Sequence, residues 1–200
     1  MNASQKPIGL MAEARSESVA NLPTERGARL RRIVLTGFMG SGKSTAGPML
    51  AGRLGWRFVD VDDVIEAEAG VTVAELFARD GEGAFRERER ETIARLADGD
   101  RLVLALGGGA IEDAETRALL AGAQATLLVH LEIELATTLA RCGGTETARP
   151  VLADRANLAS RYERRLPLYR AADVSIRVDA LTPEETVEAV LRAAVLRGLA

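Results

Sequence analysis

Five short apolar runs, Ile33–Thr36, Phe58–Val61, Leu102–Leu106, Ala125–Leu131 and Val174–Val178, punctuate the chain between longer stretches of mixed polar and charged residues. They are mostly unbroken, the pattern of a strand whose two faces are both covered. The intervening stretches carry helix signals. Thr72-Val73-Ala74-Glu75 places a glutamate three residues after a hydroxyl, a capping box that opens a helix toward Ala78. Thr182-Pro183-Glu184-Glu185 repeats it with proline at the first helical position and begins a last helix over 183–198. Charged helices are expected over Glu82–Ala97 and Asp154–Arg165. Strands alternating with helices predict an α/β domain, a doubly wound five-stranded parallel sheet flanked by helices. Ligands of such sheets gather beyond the carboxyl ends of the strands.

Upstream of the first run no apolar period is sustained. Residues 1–30 mix Ser, Asn, Pro, Gly and charge and read as a flexible N-terminal tail, with the folded domain over 31–200. Six basic against three acidic residues up to Arg32 leave an organelle transit peptide as the alternative, although Glu13, Glu17 and Glu25 are out of character for one. A chain of 200 residues suits one domain plus a tail. The net charge of −3 argues against a nucleic-acid partner held by bulk electrostatics. No apolar run approaches the ~20 residues needed to span a bilayer, so no membrane association and a cytoplasmic location are expected. One cysteine, Cys142, cannot form an internal disulfide, and one histidine, His130, leaves no Cys/His cluster for zinc. His130 reads as a packing residue or a plain hydrogen-bonding partner, Trp56 as packing after the first helix. The 26 basic residues include only two lysines, Lys6 and Lys43. Most of the arginines read as solvated surface, which makes the position of Lys43 informative.

The first strand runs directly into Gly37-Phe38-Met39-Gly40-Ser41-Gly42-Lys43-Ser44-Thr45, a complete G-x-x-x-x-G-K-[ST] in strand–loop–helix context. Gly40, Ser41, Gly42 and Thr45 would ring a phosphate with backbone N–H groups, aided by the positive end of the following helix. Lys43 supplies a mobile ammonium for the β- and γ-phosphates, and Ser44 a hydroxyl for Mg²⁺. The chain is therefore expected to bind ATP with Mg²⁺. Pro48 removes one hydrogen bond a turn beyond these contacts and should bend the helix slightly.

The acidic partner for the metal is sought at the end of the second run, in Asp60-Val61-Asp62-Asp63. A strand period of two puts Asp60 and Asp62 on one side, facing the phosphate site. Residues 142–153, with glycines before Arg149, read as a mobile lid that includes Cys142 as an exposed, oxidisable thiol. An arginine entering on closure would shield and stabilise the phosphoryl group.

These segments together resemble shikimate kinases. The likeness is carried by the phosphate loop, Asp60-Val61-Asp62 with Ile65-Glu66, and Gly81-Glu82-Gly83-Ala84-Phe85-Arg86-Glu87-Arg88-Glu89. Gly107-Gly108-Gly109-Ala110, Arg149-Pro150-Val151-Leu152 and Arg165-Leu166-Pro167-Leu168-Tyr169 complete it. The resemblance implies a P-loop kinase with a mobile lid that phosphorylates the 3-hydroxyl of shikimate, a step of aromatic amino-acid biosynthesis. It implies that Arg86 and Arg165 hold the shikimate carboxylate, that Glu89 orients them, and that Gly107, Gly108 and Gly109 contact shikimate. Asp62 would take the reacting hydroxyl, either as general base or as orienting acceptor, and Asp60 would join Ser44 at Mg²⁺. Arg149 would be the lid arginine and Arg141 would lie beside the adenine; a monomer is expected. The runner-up enzyme is a related P-loop kinase for gluconate or a nucleotide. A GTPase switch or an inactive nucleotide-binding module is the alternative of another class; no guanine-reading Asn-Lys-x-Asp occurs.

Overall fold

The structure, a computed structural model, describes residues 29–143 and 155–199. Residues 1–28 of the expected tail and most of the expected lid, Arg149 included, lie outside the described residues, while Leu30, the last residue of that tail, is buried in the core. The order is β1 (Arg32–Thr36), α1 (Lys43–Leu54), β2 (Arg57–Asp60), α2 (Val61–Ala69), α3 (Val73–Ala97) and β3 (Leu102–Ala105). A 3-10 turn (Ala110–Glu112), α4 (Ala114–Gly122), β4 (Thr126–Glu132), α5 (Leu135–Cys142), α6 (Arg155–Tyr169), β5 (Val174–Arg177) and α7 (Pro183–Leu196) follow. The strands pair in parallel in the order β2-β3-β1-β4-β5. The chain leaves β1 toward one side of the sheet and later returns to its other side. The exit of β1 is thus the switch point, where such sheets open a crevice.

The central strands are unbroken apolar runs because both of their faces are sealed. Ile33, Leu35, Val103, Leu127 and Val129 are buried in one core together with Leu50, Ile65, Ile93 and Val190 from the helices. The edge strands differ: β5 alternates between half-buried and exposed positions, as an edge strand with one solvated face does. Both capping boxes form, Thr72 with Glu75 at α3 and Thr182 with Glu185 at α7. The two helices expected around 72–97 meet at Gly81, whose φ of 81° and ψ of 169° are non-helical, a conformation only glycine adopts readily; the range of α3 spans this break. The first helix continues through Pro48.

Two expectations change. The second strand ends at Asp60, and Val61 already belongs to α2; Asp60 is the N-cap, its side chain accepting a bond from the Asp62 N–H. A β-branched residue at the start of a short helix prolonged the apparent strand. Nor are the arginines outside the site all solvated. Arg32 is buried at the start of β1 and donates to Thr126 Oγ1 at 2.9 Å, Gly99 O at 2.8 Å and Gln124 O at 2.5 Å. One guanidinium thereby ties the connections that lead into β3 and β4 to the central strand. Removing it leaves two carbonyls without their charged donor, each costing on the order of 1–3 kcal/mol. Arg32→Met should therefore lower unfolding free energy by about 3 kcal/mol, read from urea denaturation; a loss within the scatter of surface substitutions would contradict this pinning role.

Candidate active site

Gly37 leaves β1 and Gly42 caps α1 in the left-handed region, with no side chain capping the first turn. The N–H groups at the start of α1 are therefore available to an anion, and no acidic side chain lies in the first turn. Lys43 Nζ folds back over the loop, donating to Gly37 O at 2.8 Å and Phe38 O at 3.2 Å. Ser41 is buried within the loop, while Ser44 and Thr45 are exposed at the helix start.

The carboxyl end of β2 lies two strands away across β3. Asp60 Oδ2 accepts a 2.9 Å bond from Ser44 Oγ, and Asp60 Oδ1 accepts from Asp62 N at 3.1 Å. Asp62 reaches the site from the first turn of α2, not by strand alternation as the sequence suggested. Burial, and then the neighbouring Asp60 charge, push its carboxyl up to about 6, while Lys43 and Arg86 pull the other way. Among the described residues no His, Cys, Asp and Glu side chains cluster in a metal cage. Mg²⁺ needs none, because it takes one or two protein oxygens and completes its shell with phosphate and water. The adjacent Ser44 hydroxyl and Asp60 carboxylate are hard oxygen donors that fit this ion.

A third wall comes from the loop after β3, where Leu106 leads into Gly107, Gly108 and Gly109. A Cβ on Gly107 would stand 2.6 Å from Glu89 Oε1 and 2.7 Å from Asp62 Oδ1; one on Gly109 would stand 2.1 Å from Arg86 Nη2. Two carboxylates and a guanidinium thus press directly on this backbone. Glu89 is buried in α3, its Oε2 receiving Arg86 Nη1 at 2.5 Å, and burial raises its carboxyl above the ordinary glutamate value. Arg86 also reaches Glu82 at 3.2 Å and packs 5.4 Å from the centre of the Phe85 ring. Arg165, 5% exposed, comes from α6 and lies 6.0 Å over the ring of Phe38 in the phosphate loop. Its partner is Glu112 in the 3-10 turn, at 2.8 Å from Nε and 2.6 Å from Nη2. Two arginines, two buried or half-buried carboxylates and a side-chain-free loop together form a pocket suited to a small polyol bearing a carboxylate.

A family model described as shikimate kinase matches residues 39–195. The chain belongs to the shikimate kinase family. Similar members include the shikimate kinase of Paramagnetospirillum magneticum, 41% identical over 90% of this chain and 93% of that protein. That of Thermobifida fusca is 44% identical over 80% of this chain and 92% of its own. A solved shikimate kinase from Acinetobacter baumannii, in complex with shikimate, superposes with a TM-score of 0.79 at 33% identity, covering 86% of this chain and 97% of that one.

Within this shikimate kinase fold, the structure gathers Lys43, Ser44, Asp60, Asp62, Arg86, Arg165 and the three glycines at the carboxyl ends of β1, β2 and β3. Arg141 stands at another edge, donating from α5 to Gly40 O at 3.3 Å, Val178 O at 2.9 Å and Asp179 O at 3.0 Å. It bridges the phosphate loop to the segment after β5. Cys142 is not exposed: it is buried at the end of α5, and a Cβ on Gly40 would meet its Sγ at 2.9 Å. Trp56 is half-buried and packs against the core beyond α1. Two supporting residues carried no assigned role in the sequence, and a third was read as packing or hydrogen-bonding and does both. Glu112 is one. Tyr169 is another, its hydroxyl donating to Gly108 O and pushed up to about 12 by burial, against the Arg165 charge. The third is His130, stacked on Tyr169 with ring centroids 5.1 Å apart and Nδ1 3.2 Å from Ser175 Oγ. The buried, conspicuously polar His130 and Tyr169 were visible in the sequence; their pairing across β4 and α6 was not.

Burial, with the Arg170 and Lys43 charges and against that of Glu132, holds His130 down to about 4 from an ordinary 6.5. The unfolded chain therefore binds a proton in this window that the folded chain refuses, so this contribution to stability is full above pH 6.5 and is lost as pH falls toward 4. Between about pH 7 and about pH 5, His130→Gln should lose less stability than the wild type, measured by urea unfolding. Equal losses in both proteins would show that His130 is not the acid-sensitive group.

Proposed function

We propose that this chain transfers the γ-phosphoryl group of ATP to the 3-hydroxyl of shikimate, giving shikimate 3-phosphate and ADP within aromatic amino-acid biosynthesis. The observation that carries this reading is the meeting, at one crevice, of an uncapped phosphate loop with a glycine-backed pocket walled by Arg86 and Arg165. ATP is the donor and Mg²⁺ the cofactor in this family. Ser44 and Asp60 would hold the ion, which when bound neutralises charge on the phosphates.

The residues of this chain divide the remaining work. Backbone N–H groups of Gly40, Ser41, Gly42, Lys43, Ser44 and Thr45 hold the phosphates, and Lys43 Nζ swings from its carbonyls to the β- and γ-oxygens. Arg86 and Arg165 hold the acceptor's carboxylate by directional charge-assisted bonds and so set its orientation. That orientation turns one ring hydroxyl toward Asp62. As the oxygen bonds to the γ-phosphorus and the bond to the β–γ bridging oxygen breaks, the hydroxyl proton passes to Asp62. With its carboxyl near 6, Asp62 is ionised at neutral pH and able to accept. Because the transition state is loose, most of the rate gain comes from this alignment and from charge neutralisation. Arg149, outside the described residues, and Arg141 complete the set as lid arginine and nucleotide-side arginine. We also infer a cytoplasmic monomer whose catalytic domain is 31–200; no described helix is long and apolar enough to cross a membrane.

A coupled assay of ADP release tests the acceptor against shikimate, gluconate, nucleoside monophosphates and no acceptor. Release should depend on shikimate; rates indifferent to it would refute the reading. Asp62→Asn should cut kcat by about 10²–10⁴ while sparing ATP binding, and near-normal turnover would remove Asp62 from this role. Deleting residues 1–28 should leave the shikimate-dependent rate intact; loss of folding on deletion would assign the tail to the domain.

A further inference from the structure

The reaction as described makes no use of Glu112, yet this residue is the direct partner of the buried Arg165. It ends the 3-10 turn immediately after the triple glycine. Its Oε2 takes the Nε–Nη2 edge of Arg165 at 2.8 and 2.6 Å, and its Oε1 lies 3.7 Å from Arg164 Nη2. Partial burial works against its charge. The bond from Arg165 and the charges of Arg165, Arg164 and Arg86 outweigh this and hold the carboxyl below the ordinary glutamate value.

The opposite end of the same guanidinium faces the pocket. Nη1 is the Arg165 atom nearest Gly108, 3.8 Å from where a Cβ would lie. The Tyr169 hydroxyl, which donates to Gly108 O, lies in the field of the same guanidinium. One edge is therefore held by Glu112, one face lies over Phe38, and the end of the fork is aimed at the glycine loop. An unanchored arginine has many rotamers to lose on binding; one clamped at Nε and Nη2 has already lost them.

We propose that Glu112 is a positioning residue for the acceptor's carboxylate, pre-orienting Arg165 by its Nε–Nη2 edge. This rests on the reading of Arg165 as part of the carboxylate clamp. The same contact would permit the opposite role, an internal carboxylate that competes with the substrate for Arg165. The two differ in sign: loss of a positioning group weakens shikimate binding, whereas loss of a competitor strengthens it.

The test uses steady-state kinetics of the full chain, varying shikimate and ATP separately. Glu112→Gln keeps the shape and removes the charge. It should raise KM for shikimate about tenfold, leave kcat within about twofold, and leave KM for ATP unchanged. Glu112→Asp, which keeps the charge on a shorter stem, should fall between wild type and Glu112→Gln. In an Arg165→Ala background, Glu112→Gln should add nothing, because its effect passes through Arg165. A general structural defect would instead move both KM values, kcat and the unfolding midpoint together in either background. An unchanged or lowered KM in Glu112→Gln, or an equal further loss in the Arg165→Ala background, overturns the proposal. If Arg165→Ala alone leaves KM for shikimate unchanged, the clamp reading itself has failed. If Arg165→Ala raises KM and Glu112→Gln does not, only the positioning role is lost.

Discussion

Charge can be packed tightly at the end of β3 because three consecutive positions there have no Cβ. With an alanine at 107, a methyl group would sit where the Glu89 and Asp62 carboxylates now lie; at 109 it would overlap the Arg86 guanidinium. The bare backbone lets side chains from α2 and α3 approach one strand end from different directions. The kink at Gly81 precedes the segment of α3 that presents Arg86 and Glu89. The geometry of the pocket therefore depends less on any one charged residue than on the missing volume between them. A glycine in a strand interior would be a weakness; at this strand end it makes room for close approach.

Close packing fixes the electrostatics. Glu89 is almost wholly buried, which raises its carboxyl, and its ion pair with Arg86 lies on the pocket wall rather than in solvent. Such a pair resists reorganisation, since separating it would leave a buried charge without its partner. Asp62 sits among Asp60, Glu66, Lys43 and Arg86, and its elevated value reflects burial ahead of repulsion from Asp60. A carboxylate in that environment is a better proton acceptor than an exposed aspartate and is still charged near neutrality. The cations divide by geometry. The phosphate loop has a lysine, whose compact ammonium moves along phosphate oxygens; the pocket has arginines, whose planar forks impose direction on a carboxylate.

Much of this was legible in the amino-acid sequence, for identifiable reasons. Four of the five strands are short, largely apolar runs, and the phosphate loop follows β1 without a gap. Both capping boxes announce their helices by local chemistry alone. What stayed hidden was decided by tertiary contact. Val61 prolongs an apolar run, so strand alternation points to Asp62 where a helix turn actually delivers it. Arg32 looks like any of the other arginines until two loop carbonyls and the Thr126 hydroxyl close around it. Cys142 lies in a glycine-containing stretch that reads as exposed, yet α5 extends to include it and seats it on Gly40. Glu112 has no motif to mark it, because its meaning comes from an arginine 53 positions away.

In-line phosphoryl transfer also requires that donor and acceptor sites keep a fixed spacing, and here the spacing is set through the core. Phe38 belongs to the phosphate loop, is fully buried, and lies both beneath Arg165 and edge-on to Tyr162 of α6. In the sheet, β1 ends with Thr36 opposite His130 on β4. His130 stacks on Tyr169, and Tyr169 bonds the Gly108 carbonyl. The phosphate loop and the glycine loop are thus joined by packed rings and a strand register rather than by exposed segments. A close-packed interior transmits displacement instead of absorbing it. Misplacement by a fraction of an ångström in this ring stack would reach the reacting atoms, where alignment carries much of the catalysis. A neutral His130 keeps this layer rigid, because a charge there would have to be solvated inside the packing that sets the distance.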